Sequence, residues 1–177
     1  MILQKENVVL RKLKEKDIEM VRTWRNDPKI SQYMSFRDYI TPEMQEEWFK
    51  KINNDSNYFF IINIDGKDVG LTEIKNIDHT NSIGESGMFI YDDSYLNGIY
   101  SYLVAYIIFE FAFLTLKLNL IKSTVIDNNK RAVRFNKSLG FKPTDEVNGL
   151  LRTYYLKKED YSEAKRLIEI LLDGKKD

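Results

Sequence analysis

Cysteine is absent from the 177-residue chain, and His79 is its only histidine. Thiolate nucleophiles, disulfides, cysteine-based zinc sites, multi-histidine metal centres and two-histidine relays are therefore excluded. Chemistry is left to carboxylates, tyrosines, backbone groups or a cofactor. His79 itself falls in a predicted hairpin turn, where solvation is its expected state. The stretch with most chemical content is GMFIYDDSYLNGIYSYLVAYIIFEFAFL, residues 87–114. Met88, Phe89, Ile90 and Tyr91 have the aromatic and branched content of a strand, Asp92, Asp93 and Ser94 end it, and Gly98 stands where a helix begins. Without a Cβ, the backbone at Gly98 can approach a ligand closely. The free N–H groups of a helix start then form a cradle for an anion such as a pyrophosphate. A strand, a glycine turn and a buried helix also occur in folds that bind no phosphate, so the stretch admits both readings.

These residues must be positioned by a chain of ordinary globular balance, with 31% charged and 43% hydrophobic residues. One domain over residues 1–177 is the simplest organisation at this length. Lys and Arg total 27, as do Asp and Glu, which argues against a protein built to coat nucleic acid or an anionic membrane. The N-terminal MILQKENVVLRKL carries charges too early for a secretory apolar region. The apolar run Ile99 to Leu114 holds Ser101 and Glu110 and falls short of the ~20 residues of a membrane span. A cytoplasmic, soluble protein is the expectation.

Asn7 to Leu13 reads as a strand and Lys14 to Arg25 as a helix, with Ile18, Met20, Val21 and Trp24 on its apolar positions. Asn26, Asp27 and Pro28 break that helix, and the aromatic segment Ile30 to Ile40 is irregular. Thr41, Pro42 and Glu43 supply a cap, a first-position proline and a first-turn acid for a second helix to Ile52, with Trp48 and Phe49 facing inward. Tyr58 to Ile64 and Asp68 to Ile77 form a hairpin about Asp65 and Gly66, and Ser82 to Tyr91 is the next strand. After the long helix come a strand, Leu120 to Ile126, and a helix, Lys130 to Leu139, which Asn129 and its neighbours cap and Gly140 ends. Leu150 to Leu156 is a last strand. From Lys158 a helix presents Tyr161, Ala164, Leu167, Ile168 and Leu171 on one face; it is an amphipathic appendage over 158–173. Hairpin-linked strands followed by strand–helix alternation give an α/β fold, antiparallel early and partly parallel later.

With this element order, residues 7–157 resemble the GNAT superfamily of N-acetyltransferases. The run NKRAVRFNKSLGF at 129–141 is similar to the family's N-x-x-A/S…K-x-G-F signature, and residues 87–114 look like its acetyl-CoA turn in the required strand–loop–helix context. VRTWRNDP at 21–28, Tyr33, Met34 and ITPEMQEEWF at 40–49 are similar to a branch that acetylates amino-sugar nucleotides and lies beside ribosomal-protein and polyamine acetyltransferases. The resemblance implies the GNAT fold: a mixed, largely antiparallel central sheet flanked by helices, here with an extra C-terminal helix.

It also implies acetyl-CoA as donor. The pyrophosphate would take N–H groups from Asn97, Gly98, Ile99, Tyr100 and Ser101, and the pantetheine would pair along Met88, Phe89 and Ile90 like an added strand. Asn129 would reach the pantetheine or its loop, and Lys130, Arg131 and Arg134 could meet the 3′-phosphate. Glu85 and then Glu73 are the candidates to take the acceptor's proton; Trp24, Arg25, Tyr33, Met34 and Trp48 would wall the acceptor pocket. The family's turn is usually R/Q-x-x-G-x-G/A, whereas this chain has Tyr95, Gly98 and Tyr100. Tyr100 either adds bulk where the pyrophosphate enters or packs into the core. Many relatives carry a tyrosine acid seven positions after the asparagine; here that position is Asn136, which can hydrogen-bond but cannot serve as an acid. The expected acceptor is a small amine or amino-sugar nucleotide. The alternatives are the N-terminus of a ribosomal protein, or a non-catalytic sensor or scaffold with weakened CoA binding. The C-terminal helix leaves a homodimer open, and no metal is expected.

Overall fold

The computed structural model describes residues 1–96 and 98–173. Its sheet contains β1 (Ile2–Lys5), β2 (Val8–Lys12), β3 (Tyr58–Ile64), β4 (Lys67–Asp78), β5 (Ile83–Ile90), β6 (Leu120–Ile126), β7 (Lys142–Asn148) and β8 (Leu151–Lys157). Their spatial order is β1-β2-β3-β4-β5-β6-β8-β7. Every neighbouring pair is antiparallel except β5–β6, which is parallel. The helices are α1 (Ile18–Asn26), α2 (Pro28–Ser31), α3 (Pro42–Ile52), α4 (Tyr100–Glu110), α5 (Lys130–Ser138) and α6 (Lys158–Asp173).

Two strands lie outside the sequence-based expectation. β7 carries Pro143, Asp145 and Glu146 and is exposed along nearly its whole length, and β1 is half-exposed. Both are sheet edges held by backbone pairing with one neighbour, so no buried face writes a period-two pattern into their sequence. α2 also replaces part of the segment expected to be irregular: Asp27 accepts from the Lys29 N–H and Pro28 occupies the first position, a complete start signal for a short helix. The long apolar helix ends its regular turns at Glu110 and continues as a wider turn over Phe111–Thr115.

α4, α5 and α6 cover one face over a large core that includes Leu10, Phe60, Ile62, Leu103, Ile108, Ile121, Phe141, Leu156 and Tyr161. α4 is apolar on all sides because the sheet and α6 both bury it. On α6, Tyr161, Ala164 and Ile168 are buried; Leu167 and Leu171 lie outside the described side chains. α1 and α3 cover the opposite face through Val21, Trp24, Phe59, Ile61 and Leu71, with Trp48 and Phe49 half-buried against them. Among the described residues no helix is long and apolar enough to cross a membrane.

The feature that shapes the site is where β5 and β6 stop pairing. Their register runs Ile83↔Leu120, Gly84↔Ile121 and Glu85↔Lys122, and then ends. β5 continues against β4 to Ile90, and β6 against β8 to Ile126. The two strands therefore open a V with its apex at Glu85 and Lys122.

The other end of α1 is pinned by Arg11. Its guanidinium donates to both Asp17 and Asp68, with Nη1 2.7 Å from Asp17 Oδ2. Burial pushes the Asp17 carboxyl up, but the hydrogen bonds from Arg11 and the Lys14 amide outweigh it and leave the group below its ordinary value. A carboxyl so depressed contributes its full stability above about pH 4 and loses it as pH falls through the folded-state value. Arg11→Met is expected to destabilise the protein by about 1–3 kcal/mol at neutral pH. Urea unfolding should show that deficit shrinking below about pH 4, as Asp17 becomes protonated. A deficit independent of pH would show that the carboxylate does not depend on Arg11.

Candidate active site

The backbone along the opening of the V follows from strand alternation. Tyr91 N–H donates to the Val69 carbonyl on β4, and Thr72 Oγ1 donates to the Gly87 carbonyl. The Ser82 carbonyl, on the other parity, accepts from Asn119 at the start of β6. Gly87 and Phe89 thus turn their polar groups to β4, while those of Met88 and Ile90 face the gap. Phe89 is taken out of the free edge: its groups serve the ladder and its ring stands edge-on to Trp24 at 6.3 Å.

The helix start beyond the V matches the strand–turn–helix expectation. Gly98 has φ +126, a conformation that side chains rarely adopt, and the space where a Cβ would stand is open. Ile99 is the cap residue, its carbonyl accepts from Leu103, and among the described residues no side chain caps this end. Among the described residues, the first-turn N–H groups of Tyr100 and Ser101 have no hydrogen-bond partner. Asn97 lies outside the described residues. Tyr100 packs its ring edge-on to Tyr95 at 5.3 Å, and both are partly buried against the large core.

Across the gap, α5 supplies the remaining expected residues. Asn129 caps it, its Oδ1 accepting from Ala132 N–H at 3.1 Å. Arg131 donates to the Leu96 carbonyl and ties α5 to the turn before α4. Asn136 is buried and donates through Nδ2 to Ser123 Oγ on β6 at 3.1 Å. Lys130 is engaged with the Asp127 carbonyl, and Arg134 is exposed.

On the α1–α3 face, Glu73 lies opposite Gly87 and Lys75 lies opposite Glu85, which in turn pairs with Lys122 across the apex. Residues directly opposite share a face, so Glu73, Lys75, Glu85 and Lys122 form one charged row. The Glu73 side chain is 12% exposed, its carboxylate 3.2 Å from Lys75 Nζ. Its position depends on Gly87, where a Cβ would collide with the carboxylate. The Glu73 charge holds the Lys75 ammonium above its ordinary range despite burial. Glu85 accepts from Asn76 Nδ2 at 2.9 Å. The sequence puts Glu85 ahead of Glu73, and both stand half-buried on this face; Lys75 and Gly87 carry no signal in the sequence, because their meaning lies in cross-strand register.

Arg25 projects from α1 toward Glu73. Its Nε is buried with no hydrogen-bond partner among the described residues; burial pulls the guanidinium below its ordinary value, with the Glu73 charge opposing. Trp24 stacks on Tyr91 at 5.6 Å, and Trp48 stands edge-on to Phe59 at 5.2 Å. The Tyr91 hydroxyl donates to Asp27 at 3.1 Å. Tyr33 is 46% exposed and Met34 half-buried, and neither lines the nearby depression of about 380 Å³ between Arg22, Asn26, Asp27, Tyr39 and Tyr91. Trp24 and Trp48 share the cluster beneath α1 and α3, to which Tyr33 and Met34 do not belong.

A parted parallel strand pair, a helix start behind a glycine turn and carboxylates on the strands at the parting are the architecture of an acyltransferase of the GNAT type. A family model for the acetyltransferase (GNAT) domain matches residues 7–142, and the chain belongs to that family. It is an N-acetyltransferase that uses acetyl-CoA as donor. It is 32% identical over 135 residues to the acetyltransferase PseH of Campylobacter jejuni, covering 76% of this chain and 82% of that one. It is 25% identical over 162 residues to the spermidine N(1)-acetyltransferase of Escherichia coli, covering 91% and 84%. The spermidine N-acetyltransferase of Vibrio cholerae, solved with CoA and spermine, superimposes with a TM-score of 0.75 at 19% identity over 89% of this chain and 99% of that one.

The unpartnered guanidinium makes a direct prediction. Arg25→Met is expected to leave stability unchanged or raise it by about 1 kcal/mol, since a buried unsatisfied donor is removed. A loss of more than about 2 kcal/mol in urea unfolding would assign Arg25 a structural role.

Proposed function

We propose that the acceptor is the primary amine of an anionic small molecule, an amino-sugar nucleotide in particular, and that Glu73 takes its proton. The observation that carries this reading is the buried, unpartnered Nε of Arg25 beside Glu73. A desolvated guanidinium with a free donor is completed by an anionic oxygen, and the planar fork suits phosphate or carboxylate. A polyamine would instead bring cations up to Arg25, Lys75 and Lys122. Similarity to PseH supports the same direction.

The donor fits the residues present. The gap-facing groups of Met88 and Ile90 would hold the pantetheine amides, and the N–H groups after Gly98 would meet the pyrophosphate. Asn129, through its free amide hydrogens, and Arg131, if released from Leu96, would serve the same ligand from α5. Bound there, acetyl-CoA supplies an acetyl group activated as a thioester. Glu73 accepts the proton that the acceptor ammonium must lose, with Lys75 fixing the carboxylate and Gly87 leaving it room. Glu85 stands one register step away as the second carboxylate. Trp24 and Trp48 close this face against water.

Calorimetry should show micromolar acetyl-CoA binding, and turnover should favour a nucleotide-linked amino sugar over spermidine. Glu73→Gln is expected to lower kcat/KM by about 10²–10⁴-fold with donor affinity unchanged, and Glu85→Gln by less than about tenfold. Arg25→Met should raise KM for the anionic acceptor by about 10–100-fold. Preference for spermidine, undiminished by Arg25→Met, would overturn the acceptor assignment. Failure to bind acetyl-CoA at all would favour the sensor or scaffold reading.

A further inference from the structure

The position that holds a tyrosine acid in many relatives is Asn136 here, and its side chain is spent on Ser123. Extending the β5–β6 register by one residue beyond Glu85↔Lys122 sets Ser86 opposite Ser123. These are the first residues past the apex, one on each arm of the V. Side chains two apart share a face, so Ser123 lies on the face of buried Ile121, which packs in the core under α4 and α5. Asn136 meets it there, Nδ2 donating to Ser123 Oγ at 3.1 Å. A hydroxyl that accepts from an amide retains its own hydrogen for another acceptor. Among the described residues no group takes that hydrogen. Asn136 is itself 8% exposed, so its amide is held in place by packing.

We propose that Ser123 is a catalytic residue whose hydroxyl donates a hydrogen bond to the leaving thiolate of coenzyme A, with Asn136 as its positioning residue. The assignment rests on the donor lying in the V. In the transfer, the acceptor nitrogen bonds to the acetyl carbon and the carbon–sulfur bond breaks, its electron pair going to sulfur. Two protons leave the nitrogen: Glu73 takes the first from the ammonium before attack and passes it to solvent, and takes the second from the acylated nitrogen as the carbon–sulfur bond breaks, passing it to solvent in turn. Ser123 keeps its proton, being far too weak an acid to give it up. The sulfur, with a thiol pKa of ~8.5 when free, takes a proton from water afterwards. A donor aimed at the charge that develops on sulfur replaces the acid that position 136 lacks.

The test is the ultraviolet absorbance of the thiolate in the protein–CoA complex, titrated with pH in the absence of any acceptor. The wild type should hold the bound thiol below its free value. Ser123→Ala should raise the bound pKa by about one unit or more, Ser123→Thr should restore it, and Asn136→Ala should shift it in the same direction by less. Circular dichroism would confirm that each variant is folded. Equal titration of the wild type and Ser123→Ala would overturn the proposal. Loss of CoA binding in folded Ser123→Ala would also overturn it, by making Ser123 a binding group. Absence of CoA binding by the wild type would instead remove the donor from the V, and the proposal with it.

Discussion

The parting of β5 and β6 beyond Glu85↔Lys122 is the constraint on which the site depends. Unpaired strand groups inside a protein are costly, so a sheet does not open without being held open. Here each arm is secured on its outer side, β5 by β4 and β6 by β8. The α4–α5–α6 face adds a continuous core that spans both arms, from Phe60 and Ile62 to Ile121 and Leu156. The result is a rigid slot whose walls present backbone donors and acceptors to a ligand able to complete the ladder. The only parallel pair in the sheet is also the one that needs a helix to connect its strands, and that helix delivers its uncapped start to the mouth of the slot.

Electrostatics at the apex follow from register. Lys75, Glu85 and Lys122 stand directly opposite one another on three successive strands, with Glu73 one step along β4 and Arg25 above it. Alternating signs keep the row stable under the cover of α1 and α3, since opposite charges on facing positions attract. Arg25 is the member left over. Its Nε is a buried donor without a partner among the described residues, and each such group in a folded protein calls for an explanation.

The departures from the family's phosphate turn behave as a unit. Tyr95 and Tyr100 sit where an arginine or glutamine and a small residue are customary, and they pack against each other on the core. Gly98 keeps its left-handed backbone between them. Arg131 reaches across from α5 to the same turn at Leu96. The described part of the turn is therefore braced by side chains from α4 and α5.

Much of this was legible from sequence because local chemistry writes it there. The strands Tyr58–Ile64 and Leu120–Ile126, the Thr41–Pro42 helix start, the Asn129 cap and the Gly98 turn each depend on residues within a few positions. The edge strands β1 and β7 were not legible, since edge pairing is made by backbone and leaves polar side chains free. Nor was the contact of Glu73 with Lys75, the role of Gly87 as room for a carboxylate, or the pairing of Asn136 with Ser123. Those depend on which residues face one another across strands and between helix and sheet. A register shifted by one residue would send every one of them to the opposite face. The sequence by itself thus determined the buried elements, the family and the kinds of groups available, and only the tertiary structure decided the edge strands and which groups meet.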